Sequence, residues 1–110
     1  MALVAFFMPI LPGKKEKWQQ MAKRINGDMK PRLDASRKAA GVHERTFLQE
    51  THAGDFVVIT LEGENPGEAF GKMMADPEMK EFAEWAADVH GIDPKAGPPP
   101  MPKLVYDSKG

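Results

Sequence analysis

The sequence predicts an α+β domain with its elements in the order β-α-β-β-α-β, and three observations lead there. Two runs, "LVAFFMPI" and "FVVITL", are short, apolar and rich in β-branched and aromatic residues, as buried strands are. A glycine turn joins the second run to a strand just before it. Between and after these strands, apolar residues recur at helical spacing.

The first strand is expected over Leu3–Ile10, with Pro12-Gly13 marking its end. The opening "MALVAFFMPIL" lacks a basic n-region, contains Pro9 and is followed by lysines, so it does not read as a targeting segment. Its eleven residues are also too few to span a membrane. The chain is accordingly expected to be cytoplasmic, with no membrane partner.

A helix follows from Lys14 to Asn26, with Trp18, Met21, Ala22 and Ile25 on one face and Gly27 as its stop. Pro31 suits the opening of a second helical piece, which carries Leu33, Ser36, Arg37 and Ala40 at helical spacing and closes at Gly41. The first connection is therefore a broken helix. The hairpin comes next, Val42–Thr51 and Asp55–Glu62, with Gly54 in "HAG" where a positive φ is wanted. Asn65-Pro66-Gly67-Glu68 opens another helical region, Asn65 as cap and Glu68 as the capping-box acid. Asp76-Pro77 repeats the device for a last helix ending at His90-Gly91, whose apolar face is Met79, Phe82, Ala83, Ala86 and Val89, with Trp85 on its flank. Residues 94–103 are proline-rich and should run extended as a linker to a short last strand, Leu104-Val105-Tyr106. This order is the ferredoxin-like arrangement: a four-stranded antiparallel sheet with helices on one face.

At 110 residues one domain covering 1–110 is expected, large enough to bury roughly 65% of its unfolded surface. The absence of cysteine excludes disulfides, thiolate metal sites and Cys nucleophiles. A formal net charge of -1 argues against general nucleic-acid binding, which needs a basic excess. The charge is unevenly placed: Lys14–Arg45 holds ten Lys/Arg against four Asp/Glu, and Thr46 onward holds five against twelve. A basic helical region beside an acidic one should orient the two in packing.

A helix-covered sheet should leave its other face wet, yet "LVAFFM" and "FVVITL" are apolar on both faces. Phe56, Val58 and Phe47 left in water would forfeit about 1.5–3 kcal/mol each relative to burial. A patch of that kind is uncommon on soluble monomers, and a two-fold dimer with sheets face to face removes it. A homodimer is therefore expected.

The element order, the hairpin "GVHERTFLQETHAGD" and the helix end "VHGIDP" resemble the dimeric α+β barrel superfamily, over about residues 3–93. That superfamily includes the antibiotic-biosynthesis-monooxygenase-like proteins and many small members of unknown function. The resemblance implies a barrel made of two sheets across the dimer, with a pocket between sheet and helices in each subunit. Its members include cofactor-independent oxygenases, haem-degrading enzymes, isomerases and proteins with no known activity, so it bears on fold far more than on reaction.

Glu44 is the first candidate for chemistry: a strand acid is either a surface or cross-strand partner, with Arg37 nearest by chain geometry, or a pocket carboxylate whose desolvation raises its pKa. His90, in the last helical turn, either caps exposed carbonyls in its protonated form or does acid–base work. Capping would raise its pKa. Trp85 is either core or the wall of a pocket for a planar ligand, and Phe47 is placed beside it and Glu44. Trp18, Met73, Met74 and Met79 read as core. No metal site is expected, since adjacent His43 and Glu44 point to opposite faces. Haem is not expected either: strand one lacks Asn and Gln, and His90 lies at a helix end. The expected pocket set is thus Arg37, Glu44, Phe47, Trp85 and His90, with no cofactor. Two functions follow: a cofactor-independent enzyme, oxygenase- or isomerase-like, acting on a small apolar or aromatic ligand, or a non-catalytic dimeric binding or scaffold module.

Overall fold

The structure is a computed structural model that describes residues 2–92 and 102–109. Its strands are β1 (Ala2–Ile10), β2 (Val42–Thr51) and β3 (Gly54–Gly63); its helices are α1 (Lys15–Ile25), α2 (Lys30–Ala40), α3 (Pro66–Ala75) and α4 (Lys80–His90). The strands form an antiparallel sheet in the order β1-β3-β2. Alternation along β3 sends Val57, Ile59 and Leu61 to one face and Phe56, Val58 and Thr60 to the other. The register carries that alternation across the sheet: Phe6, Ile59 and Thr46 form one inward row, and Val4, Leu61 and Glu44 the next.

The helices cover the inward face. Two apolar clusters result, one built around Ile10, Val57, Met79, Trp85 and Val89, the other around Phe6, Met8, Leu61, Phe70 and Met73. Val57, Leu61, Met79 and Val89 are essentially fully buried, and each contributes about 1.5–3 kcal/mol of burial. Backbone contacts tie the layers: Leu11 N donates to Val89 O at 2.9 Å, fixing the end of β1 to the end of α4.

The broken helix forms as its prolines and glycines dictate. Asn26 and Gly27 end α1, Pro31 occupies the first turn of α2, and Gly41, at φ 76°, stops it. Gly91, at φ 71°, stops α4 in the same left-handed way. The charge asymmetry is spent between α1 and α4, where Lys14 and Lys17 meet Asp88 and Arg24 meets Glu81. Lys17 and then Lys14 hold Asp88 below the ordinary carboxylate range. These groups are exposed, so the pairs set helix orientation rather than stability.

Three expectations need correction. Leu104-Val105-Tyr106 form no strand: they are irregular and 78%, 93% and 79% exposed. Three residues offer too few ladder bonds to offset the cost of ordering them. Among the described residues the sheet therefore has three strands, and most of the proline-rich stretch 94–103 lies outside them. Asn65 makes no side-chain cap to the α3 backbone; its amide donates instead to Glu68 Oε2 at 3.0 Å. Finally, the last helix is preceded by a separate 3-10 turn, Pro77–Met79, where Asp76 accepts from Glu78 N at 3.0 Å, so α4 proper begins at Lys80.

The outward face carries Leu3 (59% exposed), Phe7 (64%) and Phe47 (54%). The half-buried Phe56 meets Phe7 edge-to-face, ring centroids 5.7 Å apart.

Gly63 is the tightest point of the hairpin. A Cβ there would run into the carbonyl oxygen of Gly41, whereas one on Gly71, within α3, would meet nothing within 4 Å. Gly63→Ala is expected to destabilise by about 1–3 kcal/mol, and Gly71→Ala to stabilise by about 0.5–1 kcal/mol. Urea midpoints at unchanged slope measure both; a Gly63→Ala protein as stable as the parent would contradict this packing.

Candidate functional site

The inward face of β2 is where the sheet departs from apolar character. Gly41 reverses the chain out of α2, and Glu44, three residues later, comes back beneath Arg37, one helical turn before that glycine. Arg37 Nε donates to Glu44 Oε1 at 2.8 Å, and Thr46 Oγ1 donates to Glu44 Oε2 at 3.0 Å. Arg37 Nη1 also donates to the buried Ser36 Oγ at 3.3 Å, and the guanidinium carbon lies 5.5 Å over the Phe82 ring centroid. The two charged side chains are 11% and 15% exposed, against 37–63% for most other ion pairs of the molecule.

Beneath this pair, between sheet and helices, lies a cavity of about 60 Å³. One water needs about 10–15 Å³ on the same measure, so there is room for roughly four to six water-sized groups. Its lining is largely apolar, from Phe6, Met8 and Val57 of the sheet to Met79, Phe82 and Trp85 of the helical layer. The polar side chains at its wall are Arg37, Glu44, Thr46 and His90, plus the indoles of Trp18 and Trp85. Arg37 and Glu44 also line a groove on the outer surface with Leu33, Asp34 and Val42. The ion pair thus borders both the cavity and the outer groove.

His90 is 5% exposed, and its Nδ1 lies 2.8 Å from the carbonyl oxygen of Pro9. A carbonyl only accepts, so Nδ1 carries the hydrogen and, in the neutral ring, Nε2 holds the lone pair. Burial pushes its pKa below the ordinary histidine value; the bond to Pro9 acts in the opposite direction and does not prevail. The helix-end capping role, with a raised pKa, is therefore corrected. Its cause is that Gly91 N already occupies Ala87 O and Leu11 N occupies Val89 O, so the imidazole turns back onto β1.

Trp85 is likewise a core member rather than a flank. It is 9% exposed, its Nε1 donates to Lys17 O at 3.4 Å, and its ring meets His90 edge-to-face at 5.7 Å. Arg37, Glu44, Trp85 and His90 thus share one cavity wall, together with Met73, Met74 and Met79. Phe47 does not join them. Three residues beyond Glu44 on the same strand, it points to the outward face, which corrects its placement beside the pocket. Thr46 was missed; its signal was the two-residue alternation from Glu44, which puts its hydroxyl beside the carboxylate. His43, on the outward side of β2, and His52, in the hairpin turn, lie away from the cavity. Among the described residues no group of three His, Asp or Glu side chains is placed to hold a metal ion. No family model matches the chain, and no curated protein matches it significantly.

Two outcomes test this geometry. Arg37→Met leaves a mostly buried carboxylate unpaired and should cost about 3–5 kcal/mol, while adding Glu44→Gln should recover much of the loss; additive losses would deny the coupling. For His90 the unfolded chain takes up a proton below its ordinary pKa of about 6.5 while the folded ring resists. Its contribution is therefore full above that value and lost as pH falls through the window beneath it. Urea unfolding from pH 7.5 to pH 5 should show this slope, and His90→Asn, whose amide can still donate to Pro9, should flatten it.

Proposed function

We propose that this protein is a homodimer in which each subunit binds a small apolar or aromatic molecule in the cavity between sheet and helices, and acts on it without a cofactor. The observation that carries the reading is a largely apolar cavity whose wall brings together a buried neutral imidazole and a paired carboxylate. Pockets for small molecules have this make-up: apolar walls for affinity and few polar groups for orientation. With Nδ1 held by Pro9, His90 Nε2 is the group suited to take a proton from such a ligand, the step that isomerase-like or cofactor-free oxygenase-like chemistry requires.

A second reading, a non-catalytic dimeric binding module, has its own support. Both oxygens of Glu44 are engaged, by Arg37 and Thr46, which suits a structural acid better than a free base.

The dimer belongs to the same proposal, as does the arrangement of a ferredoxin-like dimeric α+β barrel. Its support is the outward face, where Leu3, Phe7 and Phe47 stand more than half exposed beside Phe56 and Val58. A second copy laid against that face would bury them.

Light scattering at micromolar concentration should give twice the chain mass, and Phe56→Lys should shift it toward a single chain; a parent protein that is monomeric ends the dimer proposal. For the pocket, Ala83→Leu fills the cavity from α4. Thermal stability with pyrrole or isobutanol, of about five heavy atoms each and so within the size of the cavity, should rise with concentration in the parent and not in this variant, by about 2.7 kcal/mol at a hundred times Kd. Equal shifts in both proteins would place binding elsewhere.

A further inference from the structure

We propose that Asn26 is a site of spontaneous covalent modification, converted through a cyclic imide with Gly27 to aspartate and isoaspartate, and that the product loosens the corner between α1 and α2. The modification is independent of any ligand of the cavity. The chain holds two asparagines, Asn26 and Asn65. An asparagine amide is lost when the backbone nitrogen of the following residue attacks its side-chain carbonyl carbon. Asn65 precedes Pro66, whose nitrogen carries no hydrogen to give up. Asn26 precedes Gly27, which has no side chain to hinder the approach and the widest backbone freedom of any residue.

The fold places this pair where the attack needs little rearrangement. Asn26 and Gly27 are exposed, just past the end of α1, where the helical ladder runs out. Two hydrogen bonds must open, from Asn26 Nδ2 to Ala22 O at 2.7 Å and from Gly27 N to Arg24 O at 3.0 Å. Both acceptors keep a second donor: Ala22 O also takes Asn26 N at 3.3 Å, and Arg24 O takes Met29 N at 2.8 Å. The donors set free face water, so opening orphans no buried group. Hydroxide removes the proton of Gly27 N, the nitrogen bonds to Asn26 Cγ, and Nδ2 takes a proton from water and leaves as ammonia. Water then opens the imide. Cleavage at Cγ gives aspartate; cleavage at the backbone carbonyl gives isoaspartate, which adds a methylene to the main chain. Either product strains the corner. A carboxylate cannot donate to Ala22 O, and its charge joins that of Asp28 at the negative end of the α1 dipole. The extra methylene has to be absorbed between Ile25, packed on the core, and Met29, which is 1% exposed.

The test is incubation of the full-length protein at mildly alkaline pH, followed by peptide mapping with mass spectrometry. It should find the hydrolysed amide at Asn26 and none at Asn65, with a rate that rises with pH. Helix ends open at little cost, so the rate in the folded protein should lie within about tenfold of that in urea. A folded rate far below the urea rate, or no conversion in either, overturns the site. The converted chain carries an added negative charge, so ion exchange separates it, and its urea midpoint should lie below that of fresh protein. Asn26→Gln should come through the same incubation with its midpoint unchanged. Equal midpoints for converted and fresh chains, or an equal fall in Asn26→Gln, overturn the loosening of the corner.

Discussion

β3 is hydrogen-bonded along both edges, and the molecule is arranged around that constraint. Its inward residues Val57 and Leu61 are shielded by β1 and β2 at the sides and by helices above, which brings their exposure to 1% and 0%. Because the ladder fixes register, it also fixes which residues of the flanking strands share each inward row. Glu44 stands across from Leu61 and Thr46 across from Ile59. The apolar demand of the central strand therefore draws a carboxylate under the helical layer, and that carboxylate needs a partner there.

Arg37 meets the need through chain geometry rather than long-range folding. A left-handed glycine at position 41 returns the chain on itself, so the last turn of α2 and the start of β2 are adjacent whatever else happens. The pair differs in kind from the ion pairs of the α1–α4 seam. Those are open to solvent and worth little each. Arg37–Glu44 is largely withdrawn from water, so its integrity matters more than its net strength. It also has both an inner and an outer surface, bordering the cavity on one side and the outer groove on the other.

The helical layer closes over the sheet without filling it. Methionines and small residues do much of the covering: Met73 and Met79 beside Ala83 and Ala86. Flexible thioethers adapt to irregular gaps, and alanines leave room, so a cavity survives beside aromatic walls. Among the described residues no helix covers the opposite sheet face; Pro102 lies beside Phe7 and Phe56 there, and Phe7 and Phe47 are more than half exposed. The two faces of one sheet thus differ: helices cover one, and the other is largely open among the described residues.

The helices and the hairpin were readable from local signals, prolines at the starts of α2 and α3, glycines at the stops of α2 and α4 and an apolar pattern in β1 and β3, while the start of α4 was not. Each acts within a few residues, through a fixed φ, a missing N–H or a side-chain period, and needs no knowledge of the rest of the chain. The nearness of Arg37 to Glu44 was readable for the same reason, being separated only by a turn. The role of His90 was not. Its helix-end position argued for a solvated cap, and only docking of α4 on β1 showed that backbone N–H groups had taken the carbonyls and that burial governed the ring. Trp85 moved from flank to core because helix α1 packs against it, and Phe47 fell outside the cavity because register assigns every residue of a strand to one face. Leu104–Tyr106 had strand-like composition, but composition supplies no partner edge. Local stereochemistry is written in neighbouring residues, while desolvation and face assignment depend on what packs from elsewhere in the chain, and that is decided only when the layers meet.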